Sequence, residues 1–567
     1  YRIIAEPKQS GTLNCMKKPG TTFRKHIILP LLIVVAAGGL FVGRADLFHD
    51  IAKSIETFTR VFKELNFNYV DEVNPNELMR AGLDGMLEAL DPYTTYYDAR
   101  EKGEIDLMTT GKYGGIGVTI GLRDGAATIV DVLEGYSAQR QGIIPGDIIN
   151  AVDGVTINEE NYNEISLMVK GDPGSFVSLS ILRGTDTLSY ELLRDEVVVK
   201  NVVFAGFVPD NGNTAYVKLS GFTRSAGTEL QNALTQLQRE KEIKGVILDL
   251  RGNPGGLLES AIEVSNLFLK KGELIVTTRG KDPKSIREYV ASREPLFPDV
   301  NLVVLVNEFS ASASEIVAGA IQDHDRGIVM GNKTFGKGLV QTIIPISYNA
   351  SLKLTTARYF TPSGRCIQKI DYGKDNKVIA TYLSLPETTF TTDNNRIVLS
   401  HGGVTPDTTV IPKAVSEVTQ KILAKGLFFR FATWYYNKHS QLKFADLKEN
   451  QVFNDFGLYL KESKVSLEFE IDKKMKEVLT LTQDSEQYSQ LRTAASAVLD
   501  QSGDRLNQLL SQNKEEILKY ILTELATRFS GRDESVKVGL QYDTQFASAV
   551  SVIKQGELYN KILNIRK

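Results

Sequence analysis

The segment Lys244–Leu269, KGVILDLRGNPGGLLESAIEVSNLFL, carries a near-continuous apolar run, Val246, Ile247, Leu248 and Leu250, then glycines, then a helical pattern. An apolar run without alternation is the mark of a strand buried on both faces, and Gly252 to Gly256 turn the chain into the next helix. Upstream, Asp195 to Phe207 alternates and leads into AYVKLSGFTRSAGTELQNALTQL, a strand followed by a helix with Leu230, Leu234 and Leu237 on one face. Downstream, LVVLV (residues 302–306) repeats the buried-strand pattern and feeds NEFSASASEIVAGAIQD, Asn307–Asp323. Strand, helix, strand, helix in this order predicts an α/β layer with crossover connections. In such layers function sits where strands end and helices begin.

Two helix starts are therefore expected to meet. If their strands are neighbours, the Gly255-Gly256 turn and the Ser310–Ser314 turn present free N–H groups to one crevice, a way to build an oxyanion hole. Serine is also a favoured N-cap, and spacing alone does not choose among Ser310, Ser312 and Ser314. A hydrolytic serine needs a base. The five histidines are His26, His49, His324, His401 and His439. Only His324 offers a Ser-His-Asp arrangement, and its neighbours Asp323 and Asp325 read as an exposed helix end. Lys337 differs, because Gly336 and Gly338 remove side chains that would block close approach on either side. As a general base it must be neutral, so its pKa has to fall from about 10.4 toward roughly 7 to 8, at a cost of about 3 to 5 kcal/mol. Desolvation in a closed crevice can supply that.

Working further outward, Tyr113 to about Glu196 changes to a period of two. YGGIGVTIGLRDGAATIVDVL reads as two short strands, SAQRQGIIPGDIINAVDGVTI as a short helix and another strand, and VSLSILR as the last of the set. The order resembles a circularly permuted PDZ domain, with Gly115, Ile116, Gly117 and Val118 as its carboxylate-binding loop. A glycine-rich loop exposes N–H groups to a terminal carboxylate while the adjoining strand edge accepts an extended peptide.

NEFSASASEIVAGAIQD, GNKTFGKGLVQT and LTTARYFTPSGRCIQ together resemble the carboxyl-terminal processing, or tail-specific, proteases over roughly residues 50 to 412. The resemblance implies a crotonase-like α/β protease core with an inserted PDZ-like domain and a serine endopeptidase with a Ser-Lys dyad. By position it implies Ser312 as nucleophile, Lys337 as base, Gln341 as the group that orients the lysine, and the backbone N–H groups of Gly256 and Ala313 as oxyanion donors. No cofactor or metal is expected, and protein C-termini are the expected partners. Two other classes compete: a non-catalytic PDZ-based peptide-binding scaffold, and an acyl-CoA enzyme on the same core. The joint presence of Ser312, Lys337 and Gln341 speaks against the first, and nothing suggests a nucleotide site for the second.

The ends of the chain carry other signals. Ile27 to Val42 is an apolar run of about sixteen residues behind Lys17, Lys18, Arg24 and Lys25, and Met16 has the look of a natural start, so residues 1–15 are expected to be untranslated. The run is short for a spanning helix and GGLFVGRAD is a poor cleavage site, so it serves as a signal or as an inner-membrane anchor, with the bulk of the chain in the periplasm. Asp50 to Lys112 reads as a small helical module that LDPYTTYYD stops, a structural dock or dimer contact. Beyond Pro412 the pattern is helical, with a stripe of Ile517, Leu518, Ile521, Leu522 and Leu525, and with KVSLEFEI as a short strand; a docking or oligomerisation role is expected there. The expected division is thus a basic segment 1–26, a signal or anchor helix 27–43, a helical region 44–112, a PDZ-like domain 113–196, a protease core 197–412 and a mostly helical region 413–567. A length of 567 residues suits several domains. A net charge of −3 gives no electrostatic case for nucleic acid, and Cys15 and Cys366 lack metal-ligand spacing.

Overall fold

The computed structural model describes residues 25–123, 125–209, 212–372, 378–381, 388–400, 402–463, 467–483 and 486–565, with backbone alone for 25–45, 371, 378–381 and 502–504. The expectations for residues 1–24, Cys15 and His401 lie outside the described residues, as do those for the side chains of the apolar run 27–43. The chain forms two units, residues 1–86 and 87–567.

The first unit is built on helix α1 (Lys25–Asn68); helix α2 (Pro75–Glu88) begins in it. Along α1, Ile51, Ile55, Phe58, Val61 and Leu65 recur at helical spacing and are exposed. LDPYTTYYD ends α2 as expected, yet it is more than a stop. Thr95–Tyr97 forms a strand, β1, which joins a sheet of the second unit.

In the second unit, β2 (Val118–Arg123), β3 (Ala126–Val132), β4 (Ile148–Val152), helix α3 (Ile165–Val169), β5 (Phe176–Arg183) and β6 (Asp186–Leu193) form the PDZ-like module. Its sheet runs in order β2-β3-β4-β5-β6. The segment VSLSILR does not end the set. A tight turn at Gly184 and Thr185 sends the chain back as β6, fully paired with β5 from Phe176↔Leu193 to Arg183↔Asp186. Lys112–Gly115 and Asp195–Val198 pair antiparallel and clamp the module's two chain ends together.

The core follows, as β7 (Val202–Phe207), β8 (Thr214–Leu219), α4 (Ala226–Glu240), β9 (Gly245–Asp249), α5 (Leu258–Ser265), β10 (Leu274–Gly280), β11 (Arg287–Val290), β12 (Asn301–Val306), α6 (Ala313–Asp323), β13 (Ile328–Gly331), β14 (Leu339–Pro345), β15 (Ser351–Phe360) and β16 (Thr408–Thr409). The main sheet has the order β7-β8-β9-β12-β13-β16, parallel from β8 onward. Every residue of β9 is buried, as the near-continuous apolar run predicts, and Asp249 is buried with it in a pair with Arg251. A second sheet, in order β1-β15-β10-β11 with β14 on β15, carries the strand that holds Gln341.

Each face of the main sheet has its own cover. Leu230, Leu234 and Leu237 of α4, Val264 of α5 and Val317 and Ile321 of α6 pack on one face. The C-terminal region includes helices α7 (Leu427–Lys438), α8 (Glu449–Glu462), α9 (Lys514–Ser530), α10 (Thr544–Lys554) and α11 (Gly556–Ile562), and α10 covers the other face of the sheet through Phe546, Ala549, Val552 and Ile553 against Tyr216, Ile247, Val303 and Met330. Tyr559 seals the seam, accepting from Leu302 N–H at 2.9 Å and donating to its carbonyl at 3.0 Å. Arg251 bridges Asp249 of the core and Asp543 at the start of α10, at 2.5 and 2.7 Å. The C-terminal region is therefore a structural part of the core as well as a helical module. The stripe Ile517, Ile521 and Leu525 lies on α9 and is buried against Phe428 and Phe431 of α7 and Phe456 of α8. KVSLEFEI is not a strand in its described part, since Glu470 already opens a helix whose N-cap is Phe469.

Candidate active site

The strands β9 and β12 are parallel neighbours, Asp249 opposite Leu305, so the turns that follow them meet. Asn253, fully buried, ties the two. Its carbonyl accepts from Ala311 N–H at 3.1 Å and from the Ser314 hydroxyl at 2.9 Å, and its side chain bonds Gly255 N–H and the Leu219 carbonyl. Gly255 has a φ of +98°, and a Cβ there would lie 2.6 Å from the Ala311 carbonyl and 2.9 Å from Ser312 Cβ. At Gly256, a Cβ would lie 2.4 Å from the Phe222 carbonyl. Glycine is needed at Gly255 because the two turns are in direct contact, and at Gly256 because the same turn packs on the Phe222 backbone. Among the described residues, the N–H groups of Gly256 and Ala313 donate to no hydrogen bond, and Ala313 opens α6.

The three serines now part company. Ser310 is buried, donates to the Leu250 carbonyl at 2.8 Å and accepts from Asn307 N–H. Ser314 is buried on Asn253. Ser312 is half-buried and stands at the N-cap of α6 with φ 55° and ψ −114°, a region that non-glycine residues rarely adopt. Such a conformation costs of order 1 to 3 kcal/mol and persists only where its surroundings enforce it.

Lys337 approaches from the opposite wall. The chain from Thr334 to Gly338 is irregular, and both flanking glycines are in contact with backbone: a Cβ on Gly336 would meet Gly403 N at 3.0 Å, and one on Gly338 would meet Gln368 N at 2.9 Å. This is the close approach that the Gly-Lys-Gly sequence predicts. Gln368 accepts from Gly338 N–H at 2.6 Å, which gives the LTTARYFTPSGRCIQ motif one of its roles. Arg365 of the same motif is fully buried and anchors the far end of α6 on Asp323 at 2.7 Å.

A residue that the pattern reading passed over connects the two walls. Glu315 is completely buried and its carboxylate accepts from Ser312 N–H at 2.9 Å, Thr334 Oγ1 at 2.6 Å, Gly336 N–H at 2.7 Å and Lys337 N–H at 2.9 Å. Burial raises its pKa above the usual range while these donors pull it back. The signal was present in the sequence, because Ser312-x-x-Glu315 has the form of a capping box.

The amine of Lys337 has its pKa lowered to about 8, first by burial and then by the charge of Lys353, while Asp91 and Glu315 act in the other direction. Its Nζ lies 4.1 Å from the ring centroid of Tyr93. Among the described residues it makes no hydrogen bond, and none joins it to Ser312. Gln341 is not on the lysine in this arrangement; its amide donates to Thr355 Oγ1 at 3.3 Å, and Thr355 in turn donates to Asp91.

His324 is elsewhere. It caps the far end of α6, about 16 Å along an eleven-residue helix from Ser312. Its ring bonds Asp393 at 2.8 Å and the Leu274 carbonyl at 2.7 Å. The reading of its neighbours as an exposed helix end is corrected: Asp323 and Asp325 are buried and paired with Arg365 and Arg396. A histidine triad with Ser312 is excluded by that geometry.

In the PDZ-like module, Gly115, Ile116, Gly117 and Val118 line a groove of about 200 Å³ closed on its other side by Ile165 and Val169 of α3. Strand β2 is at the end of its sheet's order, so its outer edge has no strand partner among the described residues. Gly117, at φ +79°, is packed on Tyr136, whose Cβ a side chain would meet at 2.4 Å.

What this geometry admits is acyl transfer by a serine hydrolase, with charge developing at a helix N-terminus beside an amine that titrates near neutrality. Three family models match: peptidase family S41 over residues 213–378, PDZ domain over 114–204, and the C-terminal helical domain of probable PDZ-proteases over 418–553. A carboxy-terminal-processing protease of Bartonella bacilliformis is 38% identical over 340 residues, covering 59% of this chain and 76% of the relative. A probable CtpA-like serine protease of Staphylococcus epidermidis is 31% identical over 347 residues, covering 60% and 69%. Among solved structures, the photosystem II D1 C-terminal processing protease is 26% identical, covers 62% of this chain and 86% of its own, and superposes with a TM-score of 0.34. The chain belongs to peptidase family S41 and is a carboxy-terminal-processing serine protease with a PDZ domain.

Proposed function

We propose that Ser312 is the nucleophile, Lys337 the general base and the N–H groups of Gly256 and Ala313 the oxyanion hole, on a core of crotonase-like type. The observation that carries the assignment is the sorting of the serines: Ser310 and Ser314 spend their hydroxyls on the neighbouring turn, while Ser312 is strained and half-exposed against Gly255. Neutral Lys337 takes the Ser312 proton as Oγ bonds the scissile carbonyl carbon, and the carbonyl oxygen becomes the oxyanion held by the two N–H groups. Collapse breaks the C–N bond, and the lysine returns the proton to the leaving amine. Water, deprotonated by the same lysine, then releases the acyl group. Gln341 is assigned to orient the amine, exchanging its 3.3 Å bond to Thr355 for one to Lys337 as the dyad closes.

The substrate is a protein chain with an apolar C-terminus. Its carboxylate is held by the loop Gly115–Val118, and its last residues add to the free edge of β2. The chain is exported, with residues 27–43 as signal or inner-membrane anchor, a reading that rests on the apolar run and its basic flank; fractionation of a tagged full-length chain tests it. The assignment of the dyad is tested by Ser312→Ala and Lys337→Ala. Each is expected to abolish cleavage of an unfolded substrate while the protein stays folded, and substantial turnover in either purified variant refutes it.

A further inference from the structure

Nothing in the dyad explains how the amine of Lys337 is held, because among the described residues it makes no hydrogen bond. A lysine side chain carries about 2 kcal/mol of rotamer entropy, so an unheld amine would wander. The group in contact with it is the ring of Tyr93, 4.1 Å from Nζ.

Tyr93 is itself placed by a built device. Asp91, just before Pro92, accepts from Tyr93 N–H at 2.8 Å, Thr94 N–H at 3.0 Å and the Thr94 hydroxyl at 3.0 Å. Its remaining contact reaches Thr355 on β15, the residue that also receives Gln341. The phenol packs edge-on against Tyr372, centroids 5.9 Å apart at 86°, with the two hydroxyls 3.3 Å apart. Strand β1 then pairs Thr95 to Tyr97 with Lys353 to Ser351. The segment that ends α2 is thus sewn into the core sheet at both sides of the ring.

We propose that Tyr93 is a positioning residue for the general base: its ring face holds the side-chain amine of Lys337 against the crevice wall and keeps water from it. The inference rests on Lys337 being the base. The charged and titratable groups around that amine are Glu315 on α6, Lys353 on β15, Asp91 before β1, and the hydroxyls of Tyr93 and Tyr372. Among the described residues, Tyr93 is the one of these whose ring face lies against the amine. A ring acts in two opposed ways, since its π-face favours the ammonium while its bulk excludes the water that the ammonium prefers. The Tyr93 ring lies 4.1 Å from an amine that is largely buried, so water exclusion is taken as the ring's larger action, and removing the ring should make the lysine a stronger, more often protonated amine.

The test uses the full chain with Tyr93→Phe and Tyr93→Ala. The pH profile of kcat/KM on an unfolded protein substrate is expected to keep its acid limb in Tyr93→Phe and to move it to higher pH in Tyr93→Ala. If Tyr93→Ala is too slow to profile, the ionisation of Lys337 is read directly, by brief acetic anhydride labelling across pH and mass spectrometry of the Lys337 peptide. The midpoint is expected near 8 in the parent and higher in Tyr93→Ala. An unmoved or lowered midpoint in a folded Tyr93→Ala overturns the proposal, as does a shift of equal size in Tyr93→Phe. Turnover by Lys337→Met would instead overturn the role of the lysine, and it leaves the labelling result to stand or fall separately.

Discussion

Ser312 and Lys337 bond their main-chain N–H groups to one and the same oxygen, Oε2 of Glu315, each at 2.9 Å. Twenty-five positions apart in sequence, the two are held in register through a single buried carboxylate. Its other oxygen serves Thr334 and Gly336.

Glu315→Gln should therefore hurt activity more than its isosteric form suggests. An amide nitrogen cannot accept, so two of the four donors lose their partner, at about 1 to 3 kcal/mol for each group left unsatisfied. Thermal melting is expected to fall by several degrees and turnover by at least tenfold. A variant with parental melting and parental kcat would show that the carboxylate does not set the register of the dyad.

The pH profile follows from Lys337, whose pKa is lowered to about 8. At pH 7 only roughly one molecule in ten then carries a neutral Lys337, so with this lysine as the proposed base kcat/KM should climb nearly tenfold per pH unit below 8 and level off above it. Stability moves with the same group. The unfolded chain holds this proton up to about pH 10.5 and the folded chain releases it near 8, so stability rises with pH between those values. Lys337→Met should accordingly be more stable than the parent at pH 7, by on the order of 3 kcal/mol at most, with the advantage shrinking above pH 8. Denaturant melts at pH 7 and pH 9.5 check both the sign and the window.

Gly255→Ala separates the crevice from the fold. The new methyl would sit 2.6 Å from the Ala311 carbonyl and 2.9 Å from Ser312 Cβ, at a φ of +98° that alanine resists. The two turns must part, which moves Ser312 and Ala313 together away from Gly256, the other proposed oxyanion donor. Activity is expected to drop on the order of a hundredfold or more, as when one such donor is lost, with a destabilisation of a few kcal/mol. Ordinary kcat with unchanged melting would show that the turns are not in contact.

Removing residues 413–567 should not yield a soluble protease. The deletion strips Phe546, Ala549, Val552 and Ile553 from the second face of the main sheet and leaves Arg251 without Asp543. Exposed apolar sheet of that extent drives association. Expression as aggregate is the expected outcome, measured by sedimentation of the lysate; a soluble, active fragment ending at 412 would contradict the packing. A milder form is Tyr559→Phe, which loses the bonds to Leu302 and is expected to cost about 1 kcal/mol.

Local pattern was enough for a good part of this protein. The apolar runs at 246–250, interrupted only by Asp249, and at 302–306 determined two strands buried on both faces, because such runs leave no polar face for solvent; that the two are neighbours was decided by the fold. The glycines beside Lys337 determined a close approach, because their value lies in lacking a side chain. Long, ordered motifs identified the family. Tertiary structure decided what depends on distance rather than on period. It decided which serines are occupied, since Ser310 and Ser314 donate to the carbonyls of Leu250 and Asn253 some sixty positions upstream. It decided that Asp91 and Tyr93, legible only as a helix stop, reach Lys337 through β1 and its pairing with β15. It decided that the last helices of the chain close the sheet that the middle of the chain begins. A hydrogen-bond partner or a ring contact made across hundreds of residues leaves no periodicity behind, so those relationships appear only once the chain is folded.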